Sequence, residues 1–472
     1  MGKYKYLIKN MGLLTLSNFA TKLLSFFLVP LYTTILSTAD YGKYDFVSST
    51  VGILVPLLTI NIYEAVLRYS MERTADSKDV FSIGCKLCFI GNVLIILFIA
   101  FNHIVTISTI IDEFSIYFFL VFFVNSMSGI VSSMARGLDK IREISIASVI
   151  GSVVTISLNI FLLYIVKLGI DGYFLANIIG ILSQIVFLFI CMKGWKYISF
   201  KQVEKKTKQE MIRYCLPTIA NAIAWWINGL ADRYVIIFYC GIAANGVYSV
   251  ASKIPSILNI FQNVFSQAFM LSAVKEFDTD DKDGFFRKTF NMYNLILVVT
   301  CSLIICTDKI LAAYLYANDF YFAWRFVPFL TISIIFGALS GYAGSIFAAI
   351  KHSEYFAKCS GVGAVSNIVM NFIMVPLWGA LGAAIATAIS YWLVYAVSMY
   401  FLNRSMNVKL SLIRDNIAYG LLIVQSFILL SEKINTGIQC GLQLFFVFFV
   451  IALYGSEIKQ FKNTIKSLGE NK

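Results

Sequence analysis

The chain has 472 residues, 59% of them hydrophobic and 14% charged, with a formal net charge of +12 and a mean hydropathy of +0.78. A soluble domain carries roughly 25% charged residues, and a chain this apolar could not cover its surface with polar groups. Lipid must be much of its solvent, and basic cytoplasmic loops account for the positive charge, so neither an ordinary soluble enzyme nor a nucleic-acid partner is expected.

Apolar runs recur from end to end with only 6 Pro. That means helices, which satisfy their own backbone in lipid, and not the ~10-residue alternating segments of a barrel. Lys3, Lys5 and Lys9 precede the first run in the manner of a signal peptide. The run is too long for that, holds Lys22 and has no small-residue cleavage site, so it is expected to stay as the first helix. At about 20 residues per crossing, the spans read 11–35, 44–67, 81–101, 115–135, 144–166, 172–192, 214–239, 247–273, 289–307, 326–350, 359–376, 380–402, 415–430 and 438–455. The expectation is an all-α integral membrane protein of about 14 transmembrane helices. With the N-terminus inside, 29 Lys and Arg fall in inside segments, 5 in outside loops and 4 within spans. That bias predicts that both termini are cytoplasmic, and it supports the order of the spans between them. The longest polar stretch is the basic connector 193–213, which leaves no room for a soluble catalytic domain. The nine cysteines are scattered. Cys85 and Cys88 are expected to be a buried, inert pair, and two histidines are too few for a histidine metal site. No metal or cofactor is expected.

Two short motifs recur. Ala39-x-x-Gly42-x-Tyr44 returns as Ala243-x-x-Gly246-x-Tyr248, offset by 204; Gly169-x-x-Gly172-x-x-Leu175-Ala176 returns as Gly379-x-x-Gly382-x-x-Ile385-Ala386, offset by 210. Two matches in one order at nearly one offset predict two parallel six-helix lobes, 1–200 and 201–405, around a central cavity, followed by an extra helix pair and tail, 406–472.

Leu16-Ser17-Asn18 through Pro30, then Asp40-Tyr41-Gly42, resembles a polysaccharide transporter of the Wzx flippase type. So does Leu216-Pro217 followed by Asp232-Arg233 and Gly246-x-Tyr248-x-x-Ala251-x-Lys253. The resemblance runs over the whole chain and extends to the superfamily that holds MATE exporters and the lipid II flippase. It implies a multi-pass protein of the inner (cytoplasmic) membrane, a monomer and not an enzyme. Its substrate would be an undecaprenyl-diphosphate-linked oligosaccharide, moved from the cytoplasmic to the outer leaflet for O-antigen (lipopolysaccharide), capsule or exopolysaccharide. Polysaccharide polymerases would be partners, and H+ or Na+ the coupling ion.

A sugar diphosphate needs a polar, cationic path while its prenyl tail stays in lipid. Lys22, mid-span in the first helix, is expected to face a cavity or to pair with a carboxylate. Asp232 and Arg233 lie on one span and Lys253 on the next. Asp232 could pair with Lys253 and leave Arg233 toward phosphate, or the charges could lock the two helices. Glu64 and Arg68 are spaced for a salt bridge; alternatively Glu64, like Asp232, carries a coupling ion. Lys86 is expected to snorkel. Asn221, Trp225 and Asn228 share a helix face, where an aromatic suits a sugar ring and packing is the plainer reading. The rival function is a multidrug or other small-molecule exporter of the same superfamily, whose cavity for cations should be acidic and aromatic.

Overall fold

The computed structural model describes residues 19, 21–22, 26–72, 76–199, 205–275, 278–350, 352–408 and 410–459. The opening lysines, the Leu16-Ser17-Asn18 motif, much of the first expected span and the end of the tail lie outside the described residues. Every element among the described residues is helical, and the chain divides into two compact units, Met1–Leu230 and Ala231–Lys472.

The first unit holds α1 (Val29–Ile35), α2 (Thr38–Leu58), α3 (Ile62–Ser70), α4 (Ser77–Val105), α5 (Thr109–Glu113), α6 (Ser115–Gly137), α7 (Ile141–Asn159), α8 (Gly169–Cys191) and α9 (Lys205–Leu230). A π-helical turn, Ile160–Ile165, continues α7. The second holds α10 (Asp232–Cys240), α11 (Ile242–Ala251), α12 (Ser256–Lys275), α13 (Phe285–Leu315), α14 (Val327–Ala349), α15 (Ser353–Ser405), α16 (Leu412–Leu430) and α17 (Thr436–Leu453). Among the described residues nine helices are long and apolar enough to cross a membrane, ten if the bent pair α2–α3 is one span. Their outward faces are apolar, as at Val153, Phe161, Val186 and Phe448, while Asn294, Ser302 and Gln425 are buried. The chain is a multi-pass integral membrane protein.

Several expected spans are interrupted. The span 44–67 is α2 and α3, bent by 59° at Thr59–Asn61. The span 214–239 is α9 and α10 with a break at Ala231, and 247–273 is α11 and α12, parted at Ser252–Pro255 where proline ends the hydrogen-bond ladder. The spans 359–376 and 380–402 lie in α15, which kinks at Gly379.

The repeated glycines share a geometry. Gly169 and Gly379 both have φ of +59°, a left-handed conformation that glycine adopts without strain. Three residues on, the backbone passes close to the preceding helix. A Cβ on Gly172 would stand 3.1 Å from the Leu162 Cβ, and one on Gly382 only 2.1 Å from the Met374 carbonyl oxygen. The helix α9, which the repeat assigns to the second lobe, packs in the first unit against α2, α3 and α4. The compact-unit boundary and the repeat boundary are thus different divisions of the chain.

In the first unit the break at Thr59–Asn61 parts two apolar clusters. Val47, Val51 and Val55 of α2 join one with Phe118 and Phe122; Ile62, Ala65 and Val66 of α3 join another with Met134 and Met211. In the second unit, α16 and α17 are fastened to α13 by three polar layers. Asn294 Nδ2 donates to the Tyr454 hydroxyl at 3.0 Å while the Tyr419 hydroxyl donates to Asn294 Oδ1 at 3.0 Å. Ser302 donates to Gln425 Oε1 at 2.9 Å, and Gln425 Nε2 to Gln443 at 2.9 Å. Lys309 donates to Gln439 at 2.9 Å. Such bonds hold helices together where lipid offers no hydrophobic drive.

Candidate functional site

The bend between α2 and α3 opens a cavity of about 610 Å³ within the first unit. Ile60 and Asn61 take left-handed φ values of 56° and 52°, and Pro56 lies in the last turn of α2. The break turns Asn61 toward α9, where its Nδ2 donates to the Thr218 hydroxyl at 2.8 Å. The Cys215 thiol meets the Asn61 carbonyl at 3.6 Å. Pro217 stands between Cys215 and Thr218 inside α9, so the break between α2 and α3 is tied to the proline-bearing turn of α9. Asn61 Oδ1 is buried with no partner among the described residues.

Three asparagines, Asn61, Asn125 and Asn221, line the cavity with Ser48, Thr218, Tyr63, Glu64 and Trp225. Glu64 is the one charged lining side chain among the described residues. Trp225 is 53% exposed, whereas its neighbour Trp226 donates from Nε1 to the Ser49 carbonyl at 2.9 Å and pegs α9 to α2. Gly129 leaves room for the Tyr63 ring, which a Cβ there would touch at 3.4 Å. A volume of this size lies within the range of small-molecule sites. Its amides and hydroxyls can both donate and accept, and its one carboxylate suits a proton or a cation.

Of the residues singled out in the sequence, this cavity brings together Glu64, Asn221 and Trp225. Lys22 is exposed in the first unit, next to Thr21 of a second, smaller cavity. Lys86 is exposed on α4. Asp232, Arg233 and Lys253 belong to the second unit. The salt bridge expected between Glu64 and Arg68 is not made. Arg68 pairs with Glu72 at 3.5 Å and lies 5.2 Å from the Tyr214 ring centre, because both partners stand near the exposed end of α3 while Glu64 faces the cavity. The Asp232–Lys253 pair is not made either. Asp232 accepts from the Tyr248 hydroxyl and from Thr387 at 3.5 Å. Arg233 curls back to it, with Nη1 at 3.7 Å and its backbone N–H at 3.0 Å. Successive side chains diverge in a continuous helix, but Asp232 opens α10 just after the break, where a long arginine can fold over the helix start. Lys253 sits in the turn between α11 and α12.

Sequence reasoning missed Asn61, Asn125 and Thr218. A neutral polar residue in an apolar run usually bonds its own turn, as Asn125 does to the Val121 carbonyl at 2.8 Å, so the type alone carries no signal. It also missed Asp308 of α13, which is 0% exposed with neither carboxylate oxygen bonded among the described residues; it lies one residue beyond the expected span.

The same fold is found in solved flippase and multidrug-exporter structures. The structure aligns with the lipid II flippase MurJ in an inward closed conformation at a TM-score of 0.67 and 14% identity, over 94% of this chain and 98% of that one. It aligns with an inward-facing multidrug resistance MATE family transporter at 0.63 and 14% identity, over 86% and 95%. The chain belongs to the polysaccharide biosynthesis protein family, whose pattern matches residues 7–271. A probable low-salt glycan biosynthesis flippase, Agl15 of Haloferax volcanii, is 19% identical over 72% of both chains. These relatives are flippases and transporters, not enzymes.

Proposed function

We propose that the protein is a flippase that moves a lipid-linked oligosaccharide, an undecaprenyl-diphosphate-linked repeat unit, from the cytoplasmic to the outer leaflet of the inner membrane. The product would serve O-antigen, capsule or exopolysaccharide, and the cycle would run by alternating access. The observation that carries this reading is the cavity at the α2–α3 break, where three asparagines and the hydroxyls of Ser48, Tyr63 and Thr218 surround an open tryptophan. Amides and hydroxyls match sugar hydroxyls, and an indole face matches a pyranose ring. In this reading Asn221 and Trp225 contact sugar. Glu64 takes the coupling H+ or Na+, since an intramembrane carboxylate facing a cavity is a functional group by default. Lys22, Arg233 and Lys253 are the cations offered to the diphosphate. Asp232, with Tyr248, Thr387 and Arg233 around it, positions Arg233.

A second reading, export of small organic cations, is favoured by one feature of the same cavity: among the described residues its one charged side chain, Glu64, is acidic and lines it together with Tyr63 and Trp225. Deletion of the gene, with complementation by wild type, Trp225→Ala, Glu64→Gln, Lys22→Ala and Arg233→Ala, decides between them. The flippase reading expects the lipid-linked repeat unit to accumulate on the cytoplasmic leaflet, surface polysaccharide to be lost, and Trp225→Ala to rescue poorly at normal membrane level. Normal surface polysaccharide together with sensitivity to cationic dyes would replace it with the exporter reading.

A further inference from the structure

The smaller cavity of the first unit, about 300 Å³, lies between α7 and α8. Ser148, Ser152 and Thr155 stand at i, i+4 and i+7 on α7 and give it a polar edge, while α8 presents Asn177 and Gln184 at i and i+7 with the apolar Ile181 between them; Leu28 and Ile156 add apolar lining. Glycines set the edges together: a Cβ on Gly180 would stand 1.8 Å from the Thr155 hydroxyl, and one on Gly151 3.1 Å from the Gly180 carbonyl oxygen. Part of the lining is already committed. Ser148 donates to the Ile144 carbonyl at 3.0 Å and accepts from Gln184 Nε2 at 3.4 Å, and Asn177 donates to the Tyr173 carbonyl at 2.8 Å.

The hydroxyls of Ser152 and Thr155 make no hydrogen bond among the described residues. In a lipid-spanning helix such groups usually turn back to the i−4 carbonyl or bond across to a neighbour. Among the described residues two of them remain available in one recess, beside the side-chain amide of Gln184. No charged side chain lines the recess among the described residues. An anion would find no cation there, and an apolar group would leave the hydroxyls unpaired at a cost. What fits is a neutral ring carrying vicinal hydroxyls, each of which donates and accepts. The volume is at the lower end for ligand sites, which suits one ring and not an oligosaccharide.

We infer that this recess seats a single uncharged sugar residue of the transported glycan, apart from the cavity that holds Trp225. The inference rests on the flippase reading and adds a sugar class and a second seat to it.

The test is saturation-transfer NMR on the full chain in nanodiscs, with glucose, galactose, rhamnose and N-acetylglucosamine as probes and glucuronate as the charged control. At least one neutral sugar is expected to receive saturation. In Ser152→Ala/Thr155→Val its apparent affinity should fall about tenfold, the loss that one or two hydrogen bonds represent. Thr155→Val alone, with an unchanged melting temperature, carries the test if the double variant does not fold. The inference is overturned if no neutral sugar is saturated, if glucuronate is saturated equally, or if the signal survives these substitutions. A signal that survives them and disappears in Trp225→Ala would put the sugar in the larger cavity, ending this inference and leaving the flippase reading intact. Failure of the flippase reading itself appears separately, as normal surface polysaccharide in the deletion strain.

Discussion

Asn61 does two jobs with one side chain. Its backbone adopts a left-handed conformation that asparagine tolerates better than most residues, and its amide ties the break to α9 through Thr218. Asn61→Gly keeps the first and loses the second; Asn61→Val loses both. The glycine variant should therefore lose about 1 kcal/mol and the valine variant about 2–3 kcal/mol, read as an ordered fall in melting temperature of the purified protein. Equal losses would mean that the conformation carries no strain. Asp308 is the opposite case, a buried carboxyl with no hydrogen bond among the described residues. Asn is nearly isosteric and removes an ionisable group that lipid-embedded protein accommodates poorly. Asp308→Asn should leave the melting temperature unchanged or raise it, and a fall would show that the carboxylate has a partner in the folded state.

Elements were legible where the signal is cumulative. An apolar run of about 20 residues is hard to mistake, and helices stand where 81–101, 115–135 and 289–307 were expected. The interruptions were not legible, because a break of three residues at Thr59–Asn61 or of one at Ala231 hardly changes the average of a long window. For the candidate site, helical spacing linked Asn221 to Trp225 and charge flagged Glu64. The partners of Asp232 were missed because one is Thr387, 155 residues away, and hydroxyls in apolar runs announce nothing. The repeated glycines were legible as a motif, and the structure gives their reason. Gly382→Ala would press a methyl group onto the Met374 carbonyl, a backbone atom that cannot rotate aside. It should abolish stable insertion or lower the melting temperature sharply. Gly420→Ala, in α16 with nothing within 4 Å of the added carbon, should be neutral or stabilise by up to about 1 kcal/mol. Comparable behaviour of the two variants would mean that α15 has slack at this turn.

At the scale of the whole molecule, the distribution of basic residues makes a prediction about sidedness. Reporter fusions in the connector 193–213 should read as cytoplasmic, and fusions at Glu432–Lys433, between α16 and α17, as external. The reverse pattern at either site would break the expected order of spans. The polar layers between α13 and the last two helices also bear on how the protein is made. Ser302 is synthesised 123 residues before Gln425, its partner. At roughly 5–20 residues per second the ribosome needs about 6–25 s to supply that partner. Throughout that interval α13 enters the bilayer with Asn294, Ser302 and Lys309 unmatched by the residues that later cover them. A chain stopped short of α16 would leave the side chains of Asn294, Ser302 and Lys309 without these partners, so a truncation before Leu412 is expected to reach a lower steady-state level in the membrane than the full chain, and an equal level on an immunoblot would mean that these layers are dispensable.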